Sequence, residues 1–290
     1  MNFRISHSTI YDYDEPVTMS HHAARVKPRI TALQDRTSWS LRISPEPAVR
    51  KMRTDYFGNR VCFFSIQEFH QRLEIVTECD VRIDPGLPPE PDHSPPWEQV
   101  ASALREPVAP EALDAQQFVF DSTHVRISPL LAELAEPCFL PDRPLIEAVL
   151  DLNHRIHTEF TFDTKATTVA TPLEQVLQRR RGVCQDFTHL ALGCLRSLGL
   201  AARYVSGYLR THHAPDRPHL VGSDATHAWL SVFCPGYGWV DFDPTNDLMP
   251  LFEHITVAYG RDFADVSPVS GIITGGGDHR VHVGVDVKPI

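Results

Sequence analysis

The sequence lacks the features of an exported or membrane-spanning protein. No uninterrupted apolar stretch is long enough to span a bilayer, and the opening residues MNFRISH have no apolar core of the kind found in a signal peptide. We therefore expect a cytoplasmic protein. Only 6 of the 290 residues are cysteine. So few cysteines in so long a chain do not indicate a disulfide framework, and we expect free thiols.

Positive charge is also scarce. The chain has 27 Lys and Arg residues against 37 Asp and Glu residues, which gives a formal net charge of −10. This balance argues against nucleic acid or an anionic membrane surface as the main partner. The hydrophobic share of 42% is ordinary for a globular protein with a substantial core.

The 16 histidines do not have the spacing of metal ligands. The densest clusters are His21 with His22, and His212 with His213 and His219. Neither cluster has the Cys-x-x-Cys or His-x-x-x-His spacing that is joined by a second pair in common metal sites. We interpret these residues as surface loop histidines, and we expect no metal and no cofactor.

The first part of the chain predicts an antiparallel β domain over residues 1–84. From Leu73 to Ile83 the odd positions are mostly apolar and the even positions mostly charged, which is the pattern of a strand with one buried face. A hairpin turn is predicted at residues 55–60, where Gly58 and Asn59 can adopt a positive φ. Further strands are predicted at residues 3–13, 38–43 and 61–69.

Prolines dominate the next segment. Six of them lie between residues 85 and 96, and such a density interrupts both strands and helices. We place a domain boundary there, although an ordered proline-rich loop packed on a single domain fits nearly as well. The remaining chain divides into a linker with mixed helices at 85–143, a core domain at 144–266, and a C-terminal loop and strand at 267–290.

Three helices and four strands are predicted beyond the linker. Apolar periodicity indicates a helix at residues 145–157. A second helix should begin with a capping box at Thr171 and end at Gly182, and a third should run from Cys184 to Gly199. The strands are predicted at residues 202–209, 227–233, 238–243 and 281–287.

Cys184 is the first candidate for chemistry, because it lies where a helix begins, two residues after a glycine. The positive end of the helix dipole and unpaired backbone N–H groups would stabilise a thiolate, and the same groups can receive an oxyanion. A buried structural cysteine is the commoner role for this residue type, and Cys194 is an example within the apolar stripe of the same helix.

His227 and Asp243 are candidates for the base and the orienting carboxylate. The loop at 234–238 should pair Phe233 with Trp239, which places Asp243 diagonal to His227 on one face of a hairpin. Asp241 is the fallback, because a bulge would change the register. A thiol, an imidazole and a carboxylate suffice for covalent acyl chemistry.

Three further residues are candidates for substrate contact. Gln185 lies in the first turn of the cysteine helix and offers a polar side chain. Trp229 and Trp239 could equally line a cleft or belong to the core. Asp186, in the same helical turn as Gln185, complements the helix dipole.

The three segments together resemble the transglutaminase-like superfamily of papain-related cysteine enzymes. The matching segments are GVCQDF at 182–187, DATHAW at 224–229 and GYGWVDFDPT at 236–245. The resemblance covers roughly residues 145–250. The N-terminal part, including DYFGN at 55–59, and the tail YGRDFADV at 259–266 resemble the bacterial branch.

The resemblance implies an α+β fold, with an N-terminal antiparallel β domain and a papain-like core whose cysteine helix packs on an antiparallel sheet. It also implies Cys184 as nucleophile, His227 as general base and acid, and Asp243 as orienting residue. Known members hydrolyse amides or transfer acyl groups to amines. We expect a protease or amidase acting on a peptide or protein, with a protein-glutamine acyltransferase or a non-catalytic interaction module as alternatives. The residues at 212–223 are expected to help form the acceptor side of the cleft.

Overall fold

A computed structural model describes residues 1–84, 86–210 and 226–290. Its strands, β1 to β13 in chain order, are Asn2–Ala24, Gln34–Ser44, Val49–Thr54, Arg60–Ile66, His70–Ile83, Thr161–Phe162, Arg181–Gly182, Ala202–Leu209, His227–Cys234, Gly238–Phe242, His254–Gly260, Val269–Gly275 and His279–Pro289. Its α-helices, α1 to α7, are Trp97–Arg105, Pro110–Gln116, Pro129–Ala135, Leu145–Glu159, Leu173–Arg179, Cys184–Ser197 and Phe263–Val266. The fold is of the α+β class, as the sequence predicts. No helix in these ranges is both long and apolar enough to cross a bilayer.

The N-terminal sheet follows the alternation of its sequence. In β5 every odd residue from Leu73 to Ile83 is buried, which confirms the predicted strand with a buried face. The turn predicted at residues 55–60 joins β3 to β4, although Arg60 already belongs to β4. Asn59 does not adopt a positive φ, whereas Gly58 has a φ of +77°. A side chain at that position would be strained, since only glycine adopts such a φ freely.

The C-terminal tail belongs to the same sheet. β13 pairs antiparallel with the first half of β1, from Phe3↔Pro289 to Tyr13↔His279, and β12 pairs with its second half. The tail strand was predicted from alternating valines, but its partner was not. The sheet therefore contains both ends of the chain, and β1 lies at its centre, between β5 or β4 on one side and the tail strands on the other.

One hydrophobic cluster connects this sheet with the helical part. It contains Phe3 of β1, Val81 of β5, Leu104 of α1 and Leu190 of α6, all of them buried. The chain beyond the proline-rich segment therefore packs against the N-terminal sheet. The boundary placed at residue 85 stays a prediction.

The start and end of α5 differ from the prediction. The helix begins at Leu173 with Pro172 as its N-cap, and no side chain caps it. The Thr171 hydroxyl instead accepts a hydrogen bond from the Thr168 N–H at 2.9 Å, so it is used in the preceding turn. The helix ends at Arg179, because Arg180 adopts the left-handed conformation with a φ of 50°.

The core sheet has the strand order β10-β9-β8-β11 and carries α6 against β8 and β9. β11 is the outer strand of this sheet, and the side-chain amides of Gln34 and Asn59 bind to its backbone. Gln34 bonds to the backbone N–H and C=O of Thr256, and Asn59 does the same at Tyr259, at 2.7 to 2.9 Å. These contacts satisfy backbone groups that an exposed edge strand would leave open.

Candidate active site

The N-terminus of α6 is built by a short run of residues around Cys184. The Asp186 carboxylate turns back and accepts hydrogen bonds from the Val183 N–H at 2.8 Å and the Thr167 hydroxyl at 2.6 Å. A Cβ at position 182 would lie 2.6 Å from the Asp186 Oδ2 atom, so Gly182 leaves the space for this cap. Cys184 is the first residue of the helix and is half-buried.

His227 and Asp243 meet at the end of the β9–β10 hairpin. The predicted pairs Phe233↔Trp239 and Ser231↔Asp241 are present, and the ladder ends at Leu230↔Phe242. Asp243 itself forms a bridge with Leu248 rather than a pair with Trp229. Its side chain still reaches His227, and the Nε2 atom of the imidazole lies 2.8 Å from the Asp243 Oδ2 atom.

This hydrogen bond determines which imidazole nitrogen is available. Because a carboxylate accepts, the Nε2 atom carries the proton and donates it to Asp243. The Nδ1 atom is buried and has no hydrogen-bond partner of normal geometry among the described residues. Cys184 is the thiol beside His227, since it contributes to the shift in that imidazole's pKa. The imidazole therefore has a thiol near it and one nitrogen, Nδ1, that is not used by any described acceptor or donor.

The charges of His227 and Asp243 stabilise each other. Burial lowers the pKa of His227, but the Asp243 charge, the hydrogen bond to Asp243 and the nearby Cys184 thiol outweigh this and raise the pKa above its usual value. Burial raises the pKa of Asp243, but His227 and then His254 hold it well below its usual range. An imidazolium beside a carboxylate is the protonation state that can pair with a thiolate.

Asp243 accepts further hydrogen bonds besides the one from His227. Its Oδ2 atom also accepts from His254 Nε2 at 2.9 Å and Asn246 Nδ2 at 2.7 Å. Its Oδ1 atom accepts from the backbone N–H groups of Thr245 at 2.9 Å and Asn246 at 3.2 Å. With none of its surface exposed, Asp243 remains fully satisfied as a buried anion.

The sequence interpretation missed His254, Asn246 and Asn153. Asn153, on α4, donates to the Asp243 backbone carbonyl at 3.2 Å. Asn246 follows Asp243 closely enough to be proposed from a turn motif. His254 and Asn153 carry no such local signal, because they reach Asp243 only through the packing of β11 and α4.

The two tryptophans occupy different positions. Trp229 is 0% exposed, donates its indole N–H to Asp241 Oδ2 at 3.0 Å, and packs its ring against His227 and His254. Of the two roles that the sequence left open for Trp229, the packing role fits this burial. Trp239 is half-buried and lines a cavity. The Asp241 side chain is thereby directed to Trp229 rather than to His227.

Gln185 and the loop at 212–223 contribute less to this description. Gln185 is half-buried in the first turn of α6, next to Cys184. The loop, together with His212, His213 and His219, lies outside the described residues. The interpretation of His21 and His22 as surface loop histidines was wrong, because both lie within β1 and His22 is buried. His21 bonds to Ser65 at 2.7 Å and His22 stacks on Phe64.

His227, Asp243 and His254 offer ligand atoms within 4.8 Å of one another. Two imidazoles and a carboxylate are a donor set that suits several transition metals. However, both Nε2 atoms already donate to the same carboxylate oxygen, at 2.8 and 2.9 Å. Hydrogen bonding therefore accounts for this cluster without an ion.

Comparison with known families agrees with this geometry. Residues 3–82 match the bacterial transglutaminase-like N-terminal region, and residues 132–244 match the transglutaminase-like superfamily. The chain belongs to the transglutaminase-like superfamily. The second match includes Cys184, His227 and Asp243, and the first covers most of the N-terminal sheet of this transglutaminase-like protein.

Relatives of this transglutaminase-like chain occur in bacteria. An uncharacterized protein of Mycobacterium tuberculosis is 41% identical over 99% of this chain and 92% of its own length. A protein-glutamine gamma-glutamyltransferase of Pseudomonas aeruginosa is 26% identical over 41% of this chain and 18% of its own length. The crystal structure described as a "Putative Cysteine Protease from Cytophaga hutchinsonii" has a TM-score of 0.79 and 22% identity, covering 99% of this chain and 90% of that one. At this identity the likeness shows the shared fold.

Proposed function

We propose that this protein is a cysteine-dependent hydrolase of amide or peptide bonds, with Cys184 as nucleophile, His227 as base and acid, and Asp243 as the orienting carboxylate. The observation that carries the proposal is the arrangement of His227. Its Nε2 atom is fixed on Asp243 at 2.8 Å, its Nδ1 atom has no partner among the described residues, and the Cys184 thiol at the start of α6 is near enough to raise the pKa of the imidazole.

Acylation begins at the Cys184 sulfur. The thiolate attacks the carbonyl carbon of the amide, and the new S–C bond forms a tetrahedral intermediate. Backbone N–H groups in the first turn of α6 have no intrahelical acceptor, so they are suited to bind its oxyanion. The C–N bond then breaks, and the His227 imidazolium gives its Nδ1 proton to the leaving amine, which leaves a thioester on Cys184.

Deacylation uses the same groups in reverse. The neutral Nδ1 atom of His227 takes a proton from water, and the resulting hydroxide attacks the thioester carbon. The S–C bond breaks, a carboxylic acid leaves, and the thiolate–imidazolium pair is restored. Asp243 keeps the proton on Nε2 throughout, so Nδ1 is the nitrogen that exchanges protons.

Substrate contact is assigned within this proposal to Gln185 and Trp239. Gln185 follows the nucleophile and offers an amide to the substrate backbone. Trp239 presents a partly exposed ring. Trp229 supports the imidazole from behind, because its ring stacks near His227 with centroids 6.1 Å apart. The substrate class is a peptide or protein with an amide bond.

Labelling with an electrophilic amide probe tests the proposal. Wild type is expected to label at a single cysteine, identified as Cys184 by peptide mass spectrometry. Cys184→Ala should not label, and His227→Ala and Asp243→Ala should label more slowly by about two orders of magnitude or more, since general base assistance is worth about 10²–10⁴-fold. Cys194→Ala, on the same helix, is the matched control and should label like wild type.

Equal labelling of all these proteins would remove the enzymatic proposal. The remaining reading would be a non-catalytic interaction module of the same fold. Thiol alkylation separates the two directly, because the buried Cys194, whose thiol pKa is raised by burial, serves as an internal reference. A catalytic Cys184 should react much faster near neutral pH than an interaction module's would.

Acyl transfer to an amine is the second candidate. It is supported by the partial match to a protein-glutamine gamma-glutamyltransferase. We favour hydrolysis, because water is always present and transfer needs a dedicated amine site. A glutaminyl peptide and a labelled primary amine distinguish the two. Amine incorporation exceeding acid release would reverse this preference.

The cytoplasm is the proposed compartment. All six cysteines are free thiols, which fits a reducing environment. Fractionation of cells with an antibody to this chain would test the assignment, and recovery outside the cytosolic fraction would contradict it.

A further inference from the structure

Arg203 is held between two aromatic rings on the face of the core sheet that carries His227. Its guanidinium carbon lies 4.1 Å from the ring centroid of Trp239 and 3.6 Å from that of Tyr259. Arg29 lies on Tyr259 as well, at 4.4 Å. A guanidinium covered on both faces is fixed in orientation, and its N–H groups remain available in the guanidinium plane.

The donor capacity of Arg203 is not used within the described chain. Its buried Nε atom has no acceptor there. No carboxylate oxygen of the described residues lies within 4.0 Å of a guanidinium nitrogen of Arg203, which is the distance limit for a salt bridge. The nearby Asp241 has its Oδ2 atom bonded to the Trp229 indole. Burial lowers the pKa of the Arg203 guanidinium, the nearby Arg29 lowers it further, and the Asp241 carboxylate opposes the shift. Arg203 is half-buried, and a partly desolvated guanidinium with unused N–H donors is suited to bind a further acceptor.

A cavity of about 580 Å³ opens beside this stack. Arg203, Trp239 and Tyr259 are in its wall, and its lining residues also include Leu33, Leu87 and Leu251. Those three leucines are 50%, 97% and 43% exposed, so the opening has an apolar rim. Neither Cys184 nor His227 lines this cavity.

We propose that this cavity is a binding site for a carboxylate with an apolar body, and that Arg203 binds the carboxylate. A carboxylate matches the planar fork of a guanidinium and bonds to it in the plane that the two rings leave open. The leucine rim suits the apolar body. The cavity lies in the range of small-molecule sites, about 300–1,000 Å³.

The site is separate from the proposed nucleophile but not isolated from it. His254 also lines the cavity, and the same side chain donates to Asp243 at 2.9 Å. The proposal does not depend on hydrolysis, since binding at Arg203 requires no reaction at Cys184.

Calorimetric titration of full-length Cys184→Ala protein tests the site without turnover of any ligand. 4-Phenylbutyrate is compared with 4-phenylbutanol, which has the same apolar body and no charge. We expect the acid to bind at least about tenfold more tightly, because a charge-assisted bidentate pair is worth more than one neutral hydrogen bond. N-acetyl-leucyl-phenylalanine is the second acid, and tighter binding than 4-phenylbutyrate would identify a peptide C-terminus as the source of the carboxylate.

Substitutions at Arg203 decide whether the guanidinium is responsible. Arg203→Gln should remove the difference between acid and alcohol, and Arg203→Lys should retain only part of it, because an ammonium lacks the planar fork. Arg42→Gln, on an exposed part of β2, controls for the change in net charge and should bind like the parent. If Arg203→Gln fails to fold by circular dichroism, the lysine variant carries the test.

Two results would overturn the proposal. One is equal affinity of the parent protein for the acid and the alcohol. The other is an acid affinity that is unchanged in folded Arg203→Lys and Arg203→Gln proteins.

Discussion

At the residue scale the central feature is one carboxylate that holds two imidazoles. Asp243 Oδ2 accepts from His227, His254 and Asn246, all within 2.9 Å. Each histidine must present an N–H on its Nε2 atom, so Asp243 selects the tautomer of both rings. The two rings have centroids 5.9 Å apart. The position of His227 therefore depends in part on a second histidine bound to the same carboxylate oxygen.

Replacing His254 tests this dependence. His254→Phe removes one donor that keeps the pKa of Asp243 low, so that pKa should rise. Protonation of Asp243 then breaks the bond to His227 at a higher pH, and the acid limb of the Cys184 labelling rate should move to higher pH. We also expect a labelling rate near neutral pH about tenfold lower, as for other supporting residues.

Two comparison variants make the His254 result specific. His254→Gln keeps an N–H donor and should retain more of the rate than His254→Phe. His157→Phe changes an exposed histidine that bonds to the Thr245 carbonyl rather than to the Asp243 side chain, so its acid limb should not move. An unshifted acid limb in His254→Phe would mean that His254 only fills space.

The sequence predicted Cys184, His227 and Asp243 as a group, and the hairpin register was sufficient to prefer Asp243 over Asp241. That preference was possible because strand pairing relates residues on adjacent strands by simple counting. The register extends only to Leu230↔Phe242, however, and the last step depends on the turn that follows. His254 was not predicted, because it lies on β11, which is separated from β9 in the sheet by β8. No local sequence rule specifies that strand order.

At the element scale, the first turn of α6 is held by the side chain of Asp186, which accepts hydrogen bonds from the Val183 N–H and the Thr167 hydroxyl. Asp186 supplies the cap that Val183 cannot, since valine has no side-chain acceptor. Burial raises the pKa of Asp186, and its bonds to the Thr167 hydroxyl and the Val183 N–H oppose the rise. The same carboxylate thus caps the helix and connects the 161–171 segment to the start of the helix at Cys184.

Removing this cap should loosen the helix start. Asp186→Ala leaves the Val183 N–H and the Thr167 hydroxyl without their acceptor, and we expect a loss of about 1–2 kcal/mol in the free energy of unfolding. Urea denaturation followed by circular dichroism measures it. Glu174→Ala, in the exposed first turn of α5, is the control and should change stability by less than about 0.5 kcal/mol. Equal effects of the two changes would contradict a capping role for Asp186.

The helices show which local signals were reliable. The start of α6 and the position of Gly199 after it follow the predicted boundaries. The capping box predicted at Thr171 was wrong, because the Thr171 hydroxyl accepts from Thr168 instead. A threonine has one hydroxyl, and a local turn and a helix cap compete for it.

At the scale of the whole molecule, β1 pairs with the tail strands β12 and β13 in one sheet. Buried polar contacts connect that sheet to the core sheet. His7 of β1 bonds to the Tyr208 hydroxyl of β8 at 2.9 Å and to Thr9 at 3.1 Å. Burial lowers the pKa of His7 to about 4. Burial also lowers the pKa of His189 on α6. Both histidines are therefore neutral in the folded protein at neutral pH.

These histidines should make the protein sensitive to mild acid. Below pH 6.5 the unfolded chain binds protons at His7 and His189 that the folded chain does not bind, so stability falls as pH falls from 6.5 towards about 4. We expect a slope of about 1.4 kcal/mol per pH unit for each histidine. Urea denaturation between pH 7 and 4.5 measures the slope.

His7→Gln keeps an amide for Tyr208 and removes the titrating group, so it should reduce the slope. His282→Gln, at an exposed position of β13, is the control and should leave the slope unchanged. A wild-type stability that is flat over this range would show that the buried imidazoles accept protons without unfolding.

The sequence by itself determined the α+β class, most strand and helix positions, and the grouping of thiol, imidazole and carboxylate. The element positions follow from periodicity and turn residues, and the pairing of His227 with Asp243 follows from hairpin counting, all of which act between residues close along the chain. The α+β class and the role of Cys184 as the thiol of the group are what the resemblance of the three segments to the transglutaminase-like superfamily implies. Only the tertiary structure decided that the tail pairs with β1, that His254 shares Asp243, and that Arg203 lies between Trp239 and Tyr259 beside a cavity. Each of these joins segments that are distant in sequence, and their contacts are set by how sheets and helices pack rather than by local pattern.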